Sequence, residues 1–119
     1  MTQVLLVALG GAIGSVARYG VGVAAARWLG LAFPWGTMIV NVLGGVAIGA
    51  LAARVGPEQE SLRLLLGVGL LGGFTTFSTF SLEALRLMEQ GPAPAAAYIA
   101  ASLVLSVAGC WAGSELGRV

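Results

Sequence analysis

A chain of 119 residues with 58% hydrophobic side chains, 9% charged ones and a net charge of +1 has little with which to cover a water-facing surface, and a mean hydropathy of +0.95 makes lipid its natural solvent. There is no lysine, no histidine and no arginine cluster, so nothing could neutralise a phosphate backbone and nucleic acid is excluded as a partner. Cys110, the only cysteine, can form neither an internal disulfide nor a metal cage, and its apolar neighbours assign it to packing.

The first charge-free run extends from Thr2 to Ala17. No basic residue precedes it, so it reads as a retained span rather than a secretory signal. Helix one is predicted from Gln3 to Trp28, with Arg18 inside it. Helix two is predicted from Gly36 to Ala53, just after Pro34. Gly56-Pro57 then separates it from helix three, Leu62 to Met88. Gly91-Pro92-Ala93-Pro94 precedes helix four, Ala95 to Leu116. Each charge-free stretch is near the roughly 20 residues needed to cross a bilayer. The runs are continuously apolar and rich in Ala, Leu and Gly, without the alternation of a membrane β-barrel. Residues 1–119 therefore form one all-α, four-helix transmembrane domain, and the short loops are expected to make successive helices antiparallel neighbours. Gly10/Gly14, Gly45/Gly49 and Gly69/Gly73 each have the small-residue spacing that lets helix backbones approach closely in lipid.

Arginines are distributed almost evenly between the two sides: Arg54, Arg63 and Arg118 on one, Arg27 and Arg86 on the other. The usual positive-inside bias is nearly absent, a pattern compatible with insertion in both orientations. Four helices also enclose little room for a solute, which points to an oligomer.

Polar groups within a span must find partners, so the residues that interrupt the apolar pattern are the informative ones. Asn41 lies in helix two on a stripe with Thr37, Gly45 and Gly49. Either it makes an interhelical hydrogen bond or it lines a pore. Gly72 through Ser81 reads Gly-Gly-Phe-Thr-Thr-Phe-Ser-Thr-Phe-Ser, with five hydroxyl residues in seven positions. Two glycines followed by threonines make a poor helix interior, and a break in helix three is expected there. Exposed backbone at membrane depth survives when it is buried in protein, lines water or coordinates an ion. Phe77 and Phe80 lie on similar sides of a turn. They either pack or present positive ring edges to an anion. Tyr98, Ser102 and Ser106 recur every four residues on helix four as a polar track, or as hydroxyls bonded back to their own helix.

Aspartate is absent, and only Glu83 among the glutamates falls within a span, so a carboxylate proton relay is poorly supported. No nucleophile–base set, phosphate-binding loop or metal-ligand group is legible, so the chain is not expected to be an enzyme.

Three segments read together resemble the CrcB/Fluc family of fluoride channels: Gly10 to Tyr19 (GGAIGSVARY), Pro34 to Gly44 (PWGTMIVNVLG) and Gly72 to Glu83 (GGFTTFSTFSLE). The resemblance covers essentially the whole chain, and the TTFSTFS run is its most specific part. It implies an antiparallel, dual-topology homodimer with a broken third helix, passively exporting fluoride from the cytoplasm across a prokaryotic inner membrane. It further implies fluoride coordination by Asn41, Phe77 and Phe80, and a polar lining of Thr37, Ser78, Thr79, Tyr98, Ser102 and Ser106. Backbone carbonyls of Gly72 and Thr75 are expected to hold a structural sodium ion, Na+, between the two copies. Arg18 resembles the family's arginine, either favouring anion entry from an aqueous vestibule or snorkelling or pairing. Ser15, Gly45 and Val46 depart from the family's common residues. Two other classes stay open at this level. A proton-coupled multidrug exporter would depend on an acidic residue in helix one, and none is present. A noncatalytic membrane scaffold would use the glycines and hydroxyls only for packing.

Overall fold

The computed structural model describes residues 1–119. Helix α1 covers Thr2–Leu29 and α2 covers Trp35–Arg54. The third span, Glu60–Gln90, divides into α3, residues 60–74, and α4, Phe77–Gln90; the fourth is α5, Pro92–Arg118. All four spans are long and apolar enough to cross a membrane, and the molecule measures 48 Å along its longest axis, close to the roughly 40–45 Å of a bilayer with its headgroups.

Local chemistry sets the ends. Gly30 follows α1 with φ of 82°, a left-handed conformation that a side chain would disfavour. Pro34 stands immediately before α2. Pro92 opens α5, where a missing N–H costs nothing because the first turn has no helical acceptor for it. The fourth helix therefore begins at Pro92, earlier than the Ala95 expected from the sequence.

The helices do not pack simply in chain order. The most extensive interfaces join α2 to α5 and α1 to α3, while α1 and α2 share a smaller one. Glycine explains the choice. A Cβ on Gly10 would lie 2.7 Å from the Leu70 amide nitrogen and 3.0 Å from the Gly69 Cα, and one on Gly73 would lie 2.6 Å from the Gly11 carbonyl. Across the other interface, a Cβ on Gly45 would meet the Ser106 carbonyl at 2.7 Å, and one on Gly49 would be 2.9 Å from the Ser114 amide nitrogen. All three GxxxG pairs thus lie where backbones touch, and Cys110 packs through its backbone against Gly49.

Within α3, Arg63–Leu71 winds as a wide π-helix, and Gly72–Phe74 returns to α-helical geometry. Thr75 (ψ 160°) and Thr76 (φ −154°, ψ 122°) are extended, after which α4 resumes helical backbone at Phe77. The third span is a joined, bent rod rather than two separated half-helices, because only these two residues leave the helix and their backbone is held by neighbouring groups.

A small core of Met38, Phe80, Ala84, Leu87, Ala95 and Tyr98 joins α2, α4 and α5. Elsewhere large apolar side chains such as Leu9, Val16, Val68, Val107 and Trp111 point outward. At most 22% of the most apolar window of any span is buried by the chain itself, so lipid or protein must cover the remainder.

Candidate functional site

The interruption of the third span is built by exchanging helical hydrogen bonds for side-chain ones. The Thr76 N–H donates to Asn41 Oδ1 at 2.8 Å, and Asn41 Nδ2 donates to the Thr76 carbonyl at 3.0 Å. One amide side chain from α2 therefore satisfies both backbone groups of an extended residue, much as a neighbouring β-strand would. Thr76 Oγ1 accepts the Thr79 N–H at 3.2 Å and caps α4. On the other side, Thr75 Oγ1 donates to the Leu71 carbonyl at 2.9 Å, and Arg18 Nε donates to the Gly73 carbonyl at 3.0 Å.

These exchanges release acceptors. With the Thr76 N–H turned to Asn41, the Gly72 carbonyl loses its helical donor. With the Thr79 N–H turned to the Thr76 hydroxyl, so does the Thr75 carbonyl. The Gly72 and Thr75 carbonyls, three residues apart, are thus without a helical donor at a single bend.

Beside the bend lies an open groove of about 370 Å³ lined by residues of all four elements from α2 to α5. Asn41, Gly44 and Gly45 contribute from α2, Gly72 and Thr75 from the bend, Phe77 and Phe80 from α4, and Ser102 and Ser106 from α5. Seven of the residues picked out in the sequence therefore meet in one place: Asn41, Gly72, Thr75, Phe77, Phe80, Ser102 and Ser106. Phe77 is 74% exposed and Phe80 only 6%, although their ring centroids are 5.4 Å apart. Phe77 thus projects from the surface while Phe80 forms its base. Ser102 Oγ is buried without a hydrogen-bond partner, an expensive state unless a ligand or water meets it.

The other selected residues lie around the groove rather than on its wall. Tyr98 is fully buried, with its ring 5.3 Å from Phe80 and 5.4 Å from Phe33, and its hydroxyl has no partner. Thr37 donates to Glu83 Oε1 and lines a second cavity of about 310 Å³ with Glu83, Arg86, Phe33 and Trp35. Ser78 is exposed, its hydroxyl 3.3 Å from that of Thr76. Thr79 contributes the capped amide. Arg18 forms no ion pair within this chain; its Nε reaches the bend.

Thr76 and Gly73 belong to the segment where the sequence predicts a break, Gly73 also to a GxxxG pair, but neither has a site role legible there; in the structure they carry the backbone bonds that hold the interruption. Thr76 had a local signal, being a threonine three residues before a capped amide at a helix start. Glu83 has no role legible in the sequence, because its partner Thr37 lies 46 residues away, beyond any local pattern.

The description "CrcB-like protein, Camphor Resistance (CrcB)" matches residues 5–114. The chain belongs to the CrcB-like family. Within it, the chain is 55% identical to a protein of Caulobacter sp. (strain K31), over 99% of this chain and 96% of that one. It is 53% identical to a protein of Rhodospirillum centenum, covering 99% and 97% of the two chains, and 57% identical to one of Rhizobium johnstonii, covering 99% and 98%. Each of these relatives is named a fluoride-specific ion channel FluC. Family membership and four apolar spans make this chain a multi-pass membrane protein of a channel family.

Proposed function

We propose that this chain is a fluoride-selective ion channel that passively exports fluoride from the cytoplasm across a prokaryotic inner membrane. The observation that carries the proposal is the groove beside Thr75 and Thr76. It gathers an amide, two phenyl rings and two serine hydroxyls at an interruption of a membrane span. The names of relatives at 53–57% identity point the same way.

The physical task is to replace the water around a small, strongly hydrated anion without trapping it. Asn41 Nδ2, the ring edges of Phe77 and Phe80, and the hydroxyls of Ser102 and Ser106 offer weak donors at close range, and none carries a full charge. A full positive charge in the path would hold the anion more tightly and slow its departure. The unpartnered hydroxyl of Ser102, on the wall of the groove, favours this use, since it could turn its proton toward a passing anion. Thr37, which lines the second cavity beside Glu83, and Ser78 and Thr79 at the start of α4 would continue the polar lining beyond the groove.

The groove is open on one side, which fits a working form with a second copy inserted in the opposite direction. In such an antiparallel homodimer the interruption of each third span, acting as a break at membrane depth, would lie near the symmetry axis. The carbonyls of Gly72 and Thr75, released from helical bonding, suit a hard cation such as sodium. One pair from each copy would supply its oxygen ligands. A cation there adds buried positive charge that favours anions nearby.

The test is fluoride release from liposomes reconstituted with the pure protein, read with a fluoride electrode, with a potassium ionophore supplying countercharge. Fast fluoride release with chloride retained is the expected result. Retention of both ions by an intact dimer would refute the channel reading and favour a scaffold.

A further inference from the structure

From the hydrogen bond between α1 and the bend, we infer that Arg18 is a positioning residue of the ion pathway. It acts through the Gly73 carbonyl rather than by attracting anions from solution. The inference rests on the channel reading of the same site, and it concerns how the bend keeps its shape.

Arg18 stands about 24 Å from the start of α1 and about 16 Å from its end at 1.5 Å per residue. It is half-buried, and no carboxylate lies within ion-pair distance. Its hydrogen-bond partner within the chain is the Gly73 carbonyl, 3.0 Å from Nε and 55 residues away in sequence. That carbonyl would ordinarily accept the amide four residues later. Residue 77 instead opens α4, beyond the extended pair Thr75-Thr76. The guanidinium therefore replaces a helical donor at the carbonyl end of α3, where the helix dipole also favours a cation.

The choice of carbonyl matters. Gly72, Gly73, Phe74 and Thr75 all lose the donor a continuous helix would provide, because the extended pair Thr75-Thr76 interrupts the turn that would bring in the amides four residues on. Arg18 takes up Gly73 and leaves Gly72 and Thr75, both of which line the groove. Asn41 holds the following residue from the opposite helix. The bend is thus held from α1 on one side and from α2 on the other, and neither support engages the groove-lining Gly72 and Thr75 carbonyls. Close packing of α3 against Gly11 and Gly14, about two turns and one turn before Arg18 on the same helix, keeps the reach short.

The experiment compares the unaltered dimer with Arg18→Met and Arg18→Lys. Fluoride release from liposomes is measured at low and high ionic strength, and hydrogen exchange is measured at the amides of Thr75, Thr76 and Phe77. Arg18→Met is expected to slow release by at least about tenfold and to speed exchange at the bend about ten- to a hundredfold. Arg18→Lys, whose ammonium reaches one bond beyond Nε, is expected to keep both within about threefold of the parent. The Arg18→Met deficit is expected to be the same at both ionic strengths, because a structural hydrogen bond is not screened as a steering charge is.

A slowed Arg18→Met channel with unchanged exchange would overturn the inference, as would a deficit that disappears at high salt. If Arg18→Met does not assemble, Arg18→Lys decides: retained protection at the bend supports the positioning role, and lost protection with normal release overturns it. Failure of the unaltered protein to release fluoride would remove the channel reading, while the exchange measurements would still decide what Arg18 supports.

Discussion

Asn41 offers the sharpest quantitative test of how the bend is held. Asn41→Leu keeps approximately the same volume and removes both hydrogen bonds to Thr76, at 2.8 and 3.0 Å. A buried backbone group left without a partner costs about 1–3 kcal/mol, which puts two such groups at about 2–6 kcal/mol. Water can enter the open groove beside Thr76, and interhelical hydrogen bonds measured in membranes average about 0.6 kcal/mol. The low end therefore applies, about 2 kcal/mol, or about a 30-fold shift in local opening at 1.4 kcal/mol per tenfold. The assay is hydrogen exchange at the Thr76 amide in the reconstituted protein. Fluoride release would fall whether Asn41 touches the ion or supports the bend, but amide exchange responds to the support alone. Asn41→Asp retains an acceptor for the Thr76 N–H while setting a carboxylate oxygen against the Thr76 carbonyl, so its exchange should lie between those of the parent and Asn41→Leu. A change below about threefold at Thr76 in Asn41→Leu would refute the reasoning.

Four other outcomes are expected. Ser102→Ala and Tyr98→Phe each remove a buried hydroxyl with no partner in the chain, so thermal stability in detergent should hold or rise while fluoride release slows; a clear loss of stability would show a structural role instead. Phe80→Ile removes the ring edge at the base of the groove, and release should slow strongly with the oligomeric state unchanged by gel filtration. Unchanged release would eliminate the ring-edge mechanism. Gly49→Val pushes a branched side chain into the α5 backbone near Cys110 and Ser114 and should destabilise the fold by at least about 1–3 kcal/mol, read as a lowered melting temperature. Replacing sodium by a large organic cation throughout purification should lower thermal stability if the Gly72 and Thr75 carbonyls bind a cation, and unaltered melting would count against that site.

Much of the site could be found by looking for residues that do not belong in lipid. Asn41, the hydroxyl-rich segment after Gly72-Gly73 and the serines of the fourth helix were conspicuous because they interrupt long apolar runs. The structure brings most of them to a single groove. Their partners were not legible. The same Asn41 amide could have bonded another side chain, lined a cavity or clasped a backbone, and only the position of α3 selects Thr76. Thr37 illustrates the limit from the other direction: it shares a stripe with Asn41 in sequence, yet bonds Glu83 and faces a different cavity. Arg18 could equally have faced a vestibule, and its bond to Gly73 depends on the close approach of α1 and α3.

The sequence by itself determined the solvent, the number of spans and the glycines along which helices could meet, because hydrophobic length and small-residue spacing act within a single helix. Tertiary structure decided which spans pair, α1 with α3 and α2 with α5, since several glycine-lined faces could have matched. It also determined the form of the interruption in the third span. Helix propensity can weaken a segment locally, but in an apolar medium the residues that leave the helix are those whose freed N–H and C=O groups find partners on a neighbour. Here Asn41 and Arg18 supply those partners for Thr76 and Gly73.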